Sequence, residues 1–357
     1  MNRGGPWHRA RAAATVREIM ASPSSLGDVV RAAVLRRQSL LVPPHDAAVC
    51  LFNGYGEGAP GLVLELFGRS LVLTTHAVSS VGEEELSALV LSLREVLPFV
   101  RSALWKRRGD DEELRRGKLL LGSEAELERR ISENGVRYAL DLRLHQDAGF
   151  YLDTRELRAW LKSELSGKTL LNTFAYTGSL GVAAVAGGAR EVVHVDKHRA
   201  FLNQAKTSYT LNGFPVARRD FVVGDFFGVS SDLRRQNRLF DCVVLDPPFF
   251  ASTSGGRVDL VGDAERLLNK ARPLVADGGY LVLVNNALFV SGAEHMAMIE
   301  RACQDGYLAF DRTVPVPDDV VGLLRDESSK LPADPAPFNH PTKIALLSVR
   351  RKDGRKA

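Results

Sequence analysis

Cysteine is scarce in this chain of 357 residues: Cys50, Cys242 and Cys303 lie far apart and match neither a zinc-ligand spacing nor a disulfide framework. No metal site is expected, and a reducing, cytoplasmic compartment suits the composition. Long apolar runs are missing as well, which excludes a membrane-spanning reading. There is no internal repeat, no long low-complexity tract and no G-x-G-x-x-G series. The last absence counts against a dinucleotide oxidoreductase, because a pyrophosphate has no glycine cradle.

Acidic residues are scarce at the two ends of the chain. The net charge is +4, yet residues 1–40 carry seven arginines against Glu18 and Asp28, and residues 350–357 carry five bases against Asp353. The body between them holds a slight acidic excess. Basic arms suit a partner with a phosphate backbone, whose counterions they release; solvated tails are the competing reading. Met1 to Arg17 contains no acid, as an organellar targeting segment would require, but it also lacks the usual serines.

What is present centres on Thr169 to Asp196, T-L-L-N-T-F-A-Y-T-G-S-L-G-V-A-A-V-A-G-G-A-R-E-V-V-H-V-D. The pattern predicts a strand to Thr173, a small-residue turn at Ala175 to Gly178, a helix to about Gly187 and a β-branched strand closing on Asp196. In nucleotide-binding sheets the turn glycine admits a cofactor to the backbone, and the acid at the second strand end accepts from ribose hydroxyls. With no phosphate cradle, an adenosine cofactor without phosphates fits best, and S-adenosylmethionine is that cofactor.

Upstream, an amphipathic helix is expected from Leu26, then strands from Ala47, a helix over Glu83 to Leu97 and a strand near Ala103 to Lys106. The charge-dense W-K-R-R-G-D-D-E-E-L-R-R-G-K reads as an exposed loop or hairpin. A strand pair follows over Glu133 to Leu144, then a helix for which Asp153 is the expected cap, with Glu156 completing a capping box. Beyond Asp196 the pattern predicts a helix over Arg199 to Asn212, a strand over Ala217 to Val223 and a strand over Phe240 to Leu245. It continues with a helix from about Asp259 to Val275, a strand over Tyr280 to Asn285, a helix and two closing strands. Alternating strands and helices imply an α/β fold with a mostly parallel, seven-stranded sheet whose last strand enters antiparallel.

Asp246 opens D-P-P-F-F at a strand end, where open sheets bind ligands. Its two prolines leave carbonyls free to accept from a base edge, and Phe249 or Phe250 offers a stacking face for a flipped base. A plain strand-ending turn is the alternative. Asp225 is read either as an acceptor for the adenine amino group, with Phe226 packed on the ring, or as a helix cap. Asn285 and Asn286 bind a base or the cofactor, or cap the next turn. Cys242 falls inside an apolar strand and Cys303 on a late helix, so neither is placed to attack carbon 6 of a pyrimidine.

These motifs together, with L-N-G at Asn212, L-V-N-N, and upstream N-G-Y-G-E-G-A-P-G-L-V-L-E-L-F-G, E-N-G-V-R-Y-A-L-D-L and G-F-Y-L-D-T-R, resemble the large-subunit ribosomal RNA methyltransferases of the RlmI and RlmK type over roughly Leu51 to Val349. The resemblance implies the class I methyltransferase fold and S-adenosylmethionine as cofactor. Tyr176, Thr177 and Gly178 would line its amino-acid end, with Phe174 in the same set, Asp196 on the ribose, and Asp225 and Phe226 at adenine. Tyr151, Asp153 and Arg155 match the motif bordering the pocket. The domains implied are a basic tail and helix (1–40), a small α+β domain offered for RNA binding (41–130), the methyltransferase domain (131–349) and a basic tail (350–357).

The cytosine-5 branch carries cysteine where this chain has Asn285-Asn286-Ala287, and the N-N matches the branch associated with guanine N7. Members of the cytosine-5 branch also open with an RNA-binding PUA domain, for which the first forty residues are too short. Gln146-Asp147-Ala148 replaces the usual Lys-Thr. The expected activity is methylation of a base nitrogen in structured RNA, with Asp246, Pro247 and Phe249 as the catalytic set and Pro248, Phe250, Asn285 and Asn286 on the substrate. A cytosine-5 enzyme and a non-catalytic RNA scaffold are the rivals.

Overall fold

The computed structural model describes residues 25–357 apart from 110, 254–255, 260–263, 323–330 and 332, with backbone alone for 250–253 and 256–259. The expectations for residues 1–24 therefore lie outside the described residues. The chain forms two units, one of Met1–Ile131, Leu142–Ala148 and Asp318–Lys330, the other of Ser132–Asp141, Gly149–Pro317 and Leu331–Ala357.

In the first unit, helix α1 (Leu26–Arg36) is capped by Ser25, whose hydroxyl accepts from the Asp28 amide, and it lays Val30 and Val34 into the core. Strands β1 (Ala48–Asn53), β2 (Leu62–Phe67), β3 (Ser70–Thr75), β4 (Ser102–Arg107) and β5 (Lys118–Leu121) lie in that order in one sheet. Only β3 and β4 pair in parallel, which requires a crossover, and helix α2 (Glu83–Leu93) supplies it. Three glutamates fill the first turn of α2, where the helix dipole favours negative charge.

The charge-dense stretch forms the expected hairpin, β4 antiparallel to β5, but not all of its charges face solvent. Its residues run through β4, a helical turn at Glu112–Arg116 and the start of β5. Lys106 is buried and donates to the carbonyls of His145 and Asp147 at 2.6 and 3.1 Å, while Arg108 pairs with the Asp147 carboxylate. Two of its bases are therefore committed to the chain's own 145–147 loop.

Next in the chain, β6 (Arg130–Glu133) and β7 (Val136–Ala139) make a hairpin and helix α3 (Arg155–Glu164) follows. The elements of the large sheet are then β8 (Thr169–Thr173), α4 (Ser179–Ala186), β9 (Glu191–Asp196), α5 (Arg199–Leu211), β10 (Phe221–Val223), α6 (Phe226–Arg235) and β11 (Phe240–Leu245). A ribbon of β12 (Phe250–Thr253) and β13 (Gly256–Asp259) precedes α7 (Ala264–Ala271), β14 (Val275–Asn285), α8 (Gly292–Cys303), β15 (Leu308–Val314) and β16 (Lys343–Val349).

The seven strands run β10-β9-β8-β11-β14-β16-β15, parallel from β10 to β14, with β16 antiparallel to both of its neighbours. The antiparallel last strand agrees with the sequence, although a long connection through a helical turn at Asp318–Val321 takes the place of a tight hairpin. Period-two alternation places the core on both faces. Leu170, Cys242, Val244, Val282 and Ile344 join the cluster with Leu157, Leu161 and Leu180 from α3 and α4. Leu171, Val243, Leu245, Leu281 and Ala345 join the one holding Phe226, Leu267 and Ile299 from α6, α7 and α8. This is the class I methyltransferase architecture.

Three local expectations are corrected. Residues 218–220 are a 3-10 turn, so β10 is only three residues long. Asp259 belongs to β13 and Val275 to β14, so α7 is shorter than the expected helix. Thr154, not Asp153, is the N-cap residue of α3, because Asp153 instead accepts from the Thr342 hydroxyl at 2.8 Å. Among the described residues no helix is long and apolar enough to cross a membrane.

Candidate active site

All five parallel strands end on one edge of the sheet, and the order changes direction between β8 and β11, where open α/β sheets hold ligands. The β8–α4 turn lies there. Phe174 and Tyr176 both take left-handed backbone angles, φ 52° and 50°, a conformation that costs side-chain-bearing residues energy and persists only where surroundings fix it. Asp196 does the fixing. Its carboxylate accepts from the Tyr176 and His198 amides, each at 2.8 Å, and its carbonyl accepts from Gly224. Burial raises the Asp196 pKa, and the two amide bonds pull against that rise.

Gly178 caps α4 at φ 76°, and the protein itself leaves no room for a side chain there. A Cβ there would sit 2.5 Å from the Ala205 Cβ and 3.1 Å from the His194 ring. His194 is fully buried, bonded to Tyr209 and Asn172, and burial drives its pKa down to about 3, so it stays neutral. Thr177 donates to the Gly149 carbonyl at 2.7 Å, fastening the turn to the segment that leads into Phe150 and Tyr151. The rings of Tyr151, Tyr176 and Phe201 follow one another at 5.3 and 4.5 Å.

Asp225 caps α6, accepting from the Phe227 and Gly228 amides, so the capping reading of this residue is realised. Phe226 is buried against Phe174, 4.9 Å between centroids. Asp246, half-buried at the end of β11, has its pKa raised to about 7, by burial first and by the Asp153 charge second. Pro247 is buried, while Pro248 and Phe249 are exposed. The side chain of Phe250, in β12, lies outside the described residues. Oδ1 of Asp153 is buried with no partner among the described residues. An uncompensated carboxylate beside a second one calls for a cationic ligand, which the sulfonium and ammonium of S-adenosylmethionine would satisfy.

Asn285 is buried and turned inward: its Oδ1 accepts from the Ala287 amide, and its Nδ2 lies 3.2 Å from His295 Nδ1. That is the turn-capping alternative, and Asn286 alone of the pair is exposed. Arg155 approaches Glu133 at 3.6 Å.

Sequence reasoning missed Arg158, 1% exposed, which binds both Glu133 oxygens at 2.7 and 2.8 Å, donates to the Tyr151 carbonyl and lies 4.0 Å from the Phe150 ring centroid. It anchors the whole G-F-Y-L-D segment. Lys343 was also missed. It is buried, with its pKa lowered by burial to about 8, and it donates to the carbonyls of Ala287 and Pro341. Cys242 is fully buried inside β11 and its thiol pKa is raised by burial; Cys303, on α8, is raised likewise.

Residues 117–318 match the family of S-adenosylmethionine-dependent methyltransferases, and the chain belongs to that family, whose cofactor is S-adenosylmethionine. Curated relatives include ribosomal RNA large subunit methyltransferase I of Photobacterium profundum, 32% identical over 67% of this chain and 62% of that protein. The enzyme of the same name in Aeromonas salmonicida is 30% identical over 73% and 65%. The putative ribosomal RNA large subunit methyltransferase YwbD of Bacillus subtilis is 29% identical over 70% and 64%. The chain thus spans a little under two thirds of the length of these relatives. Among solved structures, SMU.776, a putative methyltransferase complexed with SAH, superposes with a TM-score of 0.79 at 23% identity, covering 94% of this chain and 82% of that one, which supports the fold.

Proposed function

We propose that this protein transfers a methyl group from S-adenosylmethionine to a base nitrogen of RNA in the cytoplasm, with large-subunit ribosomal RNA as substrate and guanine as the favoured base. The observation that carries this reading is the strand-end Asp246, with its titration moved to neutrality and exposed Phe249 three residues on, in a crevice edge that offers no cysteine. The names of the curated relatives supply the substrate class.

The cofactor supplies an electrophilic methyl on a sulfonium. The chain's part is to position, desolvate and accept a proton. Tyr176, Thr177 and Gly178 shape the turn beside it, Asp196 offers its remaining lone pairs to the ribose hydroxyls, and Asp225 and Phe226 stand at the adenine end. Tyr151, Asp153 and Arg155 border the pocket, and the unpartnered oxygen of Asp153 takes the positive end of the ligand. Asp246 and the Pro247 carbonyl orient the flipped base, Phe249 stacks on it, and Pro248, Phe250 and Asn286 complete its surroundings. A cytosine-5 mechanism needs a thiolate, and burial holds both Cys242 and Cys303 in the thiol form.

Replacing Asp246 with Ala should lower transfer to RNA by at least about a hundredfold, the usual scale for a lost acid-base group, while calorimetry shows cofactor binding within about twofold of wild type. Full activity in D246A would remove Asp246 from the mechanism.

A further inference from the structure

The loop that follows β14 presents a second aromatic surface. Leu288 is 43% exposed and Phe289 71%, the highest value among the exposed large hydrophobic side chains of the described residues. Exposing a phenylalanine to water forfeits the free energy of burying it. The loop is nevertheless held from beneath. Asn285 accepts from the Ala287 amide, Lys343 donates to the Ala287 carbonyl at 3.0 Å, the Val290 amide reaches the same carbonyl, and Ala287 is buried. His295 fixes the Asn285 amide from α8. Two buried polar side chains and a buried lysine thus secure the residue two positions before Phe289, leaving the ring outside on a stiff base.

Its position gives the ring a use. β14 and β11 are parallel neighbours with Leu283 opposite Leu245, so the 286–289 loop and the Asp246 to Phe249 loop leave the same edge side by side. Both carry an exposed phenylalanine, with the exposed amide of Asn286 on the second loop. We propose that Phe289 is a stacking platform for an unpaired base next to the one being methylated, held in place by the Asn285, His295 and Lys343 anchor. Every base has an apolar face, so an exposed ring on a rigid loop suits a single-stranded segment of RNA. The proposal rests on the RNA reading above and deepens it: the substrate is a loop or strand in which at least two consecutive nucleotides are splayed, not a continuous duplex.

The test uses the full chain and in-vitro transcribed large-subunit ribosomal RNA. F289A should weaken RNA binding about tenfold, the middle of the range for loss of one stacked base, and raise KM for RNA with kcat nearly unchanged. Cofactor affinity should stay at the wild-type value, and the slope of log affinity against log salt should not move, since no phosphate contact is lost. F289W should restore binding. F289A with wild-type RNA affinity overturns the platform while leaving the methyltransferase reading intact. So does a wild-type dimer in sedimentation that F289A makes monomeric, which would assign the ring to a second copy of the chain. Wild-type protein that neither binds nor methylates this RNA overturns both the RNA reading and the platform.

Discussion

Burial raises the pKa of Asp246 and the charge of Asp153 adds to the rise, so its carboxyl group stays protonated to about pH 7. If the ionised form receives the base proton, kcat/KM for RNA should rise as pH increases through about 7 and then level off. Replacing Asp153 with Asn removes the like charge but not the burial. The rising limb should therefore move to lower pH without reaching the ordinary carboxylate range. A limb that stays in place in D153N would show that the two carboxylates do not interact. Asp196 works differently, since both its oxygens hold backbone amides; its first task is to brace the turn that Phe174 and Tyr176 strain.

Among the elements, the junction of α4 with α5 and β9 depends most on one position. Gly178→Ala would combine a left-handed backbone penalty with a Cβ 2.5 Å from that of Ala205. The two costs sum to about 2–5 kcal/mol. Adding Ala205→Gly should relieve the clash but not the backbone term, so chemical denaturation of the double variant should recover part of the loss. Because Ala205→Gly alone weakens α5, the reference is that single variant: if Gly178→Ala costs as much in its background as in the wild type, the backbone conformation alone matters.

The alternation of strands and helices, the antiparallel last strand and the strand-end acids were legible in the sequence because apolar periodicity and punctuation are local signals. The reason for Gly178 was not local: Ala205 and His194, which exclude a side chain there, arrive from another helix and strand. Arg158 was hidden for the same cause. On an amphipathic helix it reads as one more surface base, and only the return of Glu133 from the β6–β7 hairpin makes it buried. Asp153 looked like a helix cap because its true partner, Thr342, lies 189 residues away.

For the molecule as a whole, the charge reading changes most. The basic C-terminal segment is fastened to its own unit: Arg351 and Arg355 share Asp353, Arg351 also donates to the carbonyls of Pro273 and Val275, and Lys356 pairs with Asp277. Solvent screens exposed pairs of this kind, so they add little to stability, but they cancel charge that a phosphate backbone would otherwise meet. Lys106 and Arg108 are likewise committed to the chain's own loop. On the proposed reading, recognition of RNA would lean less on the C-terminal basic segment than composition suggests, and more on the exposed rings of Phe249 and Phe289.

The most direct test of nitrogen methylation is to incubate the protein with labelled S-adenosylmethionine and unmodified large-subunit ribosomal RNA, digest to nucleosides and identify the labelled species by mass spectrometry. A labelled methylguanine is expected. A labelled 5-methylcytosine would contradict the assignment, since it requires a thiolate at the crevice, and unlabelled RNA would contradict the substrate.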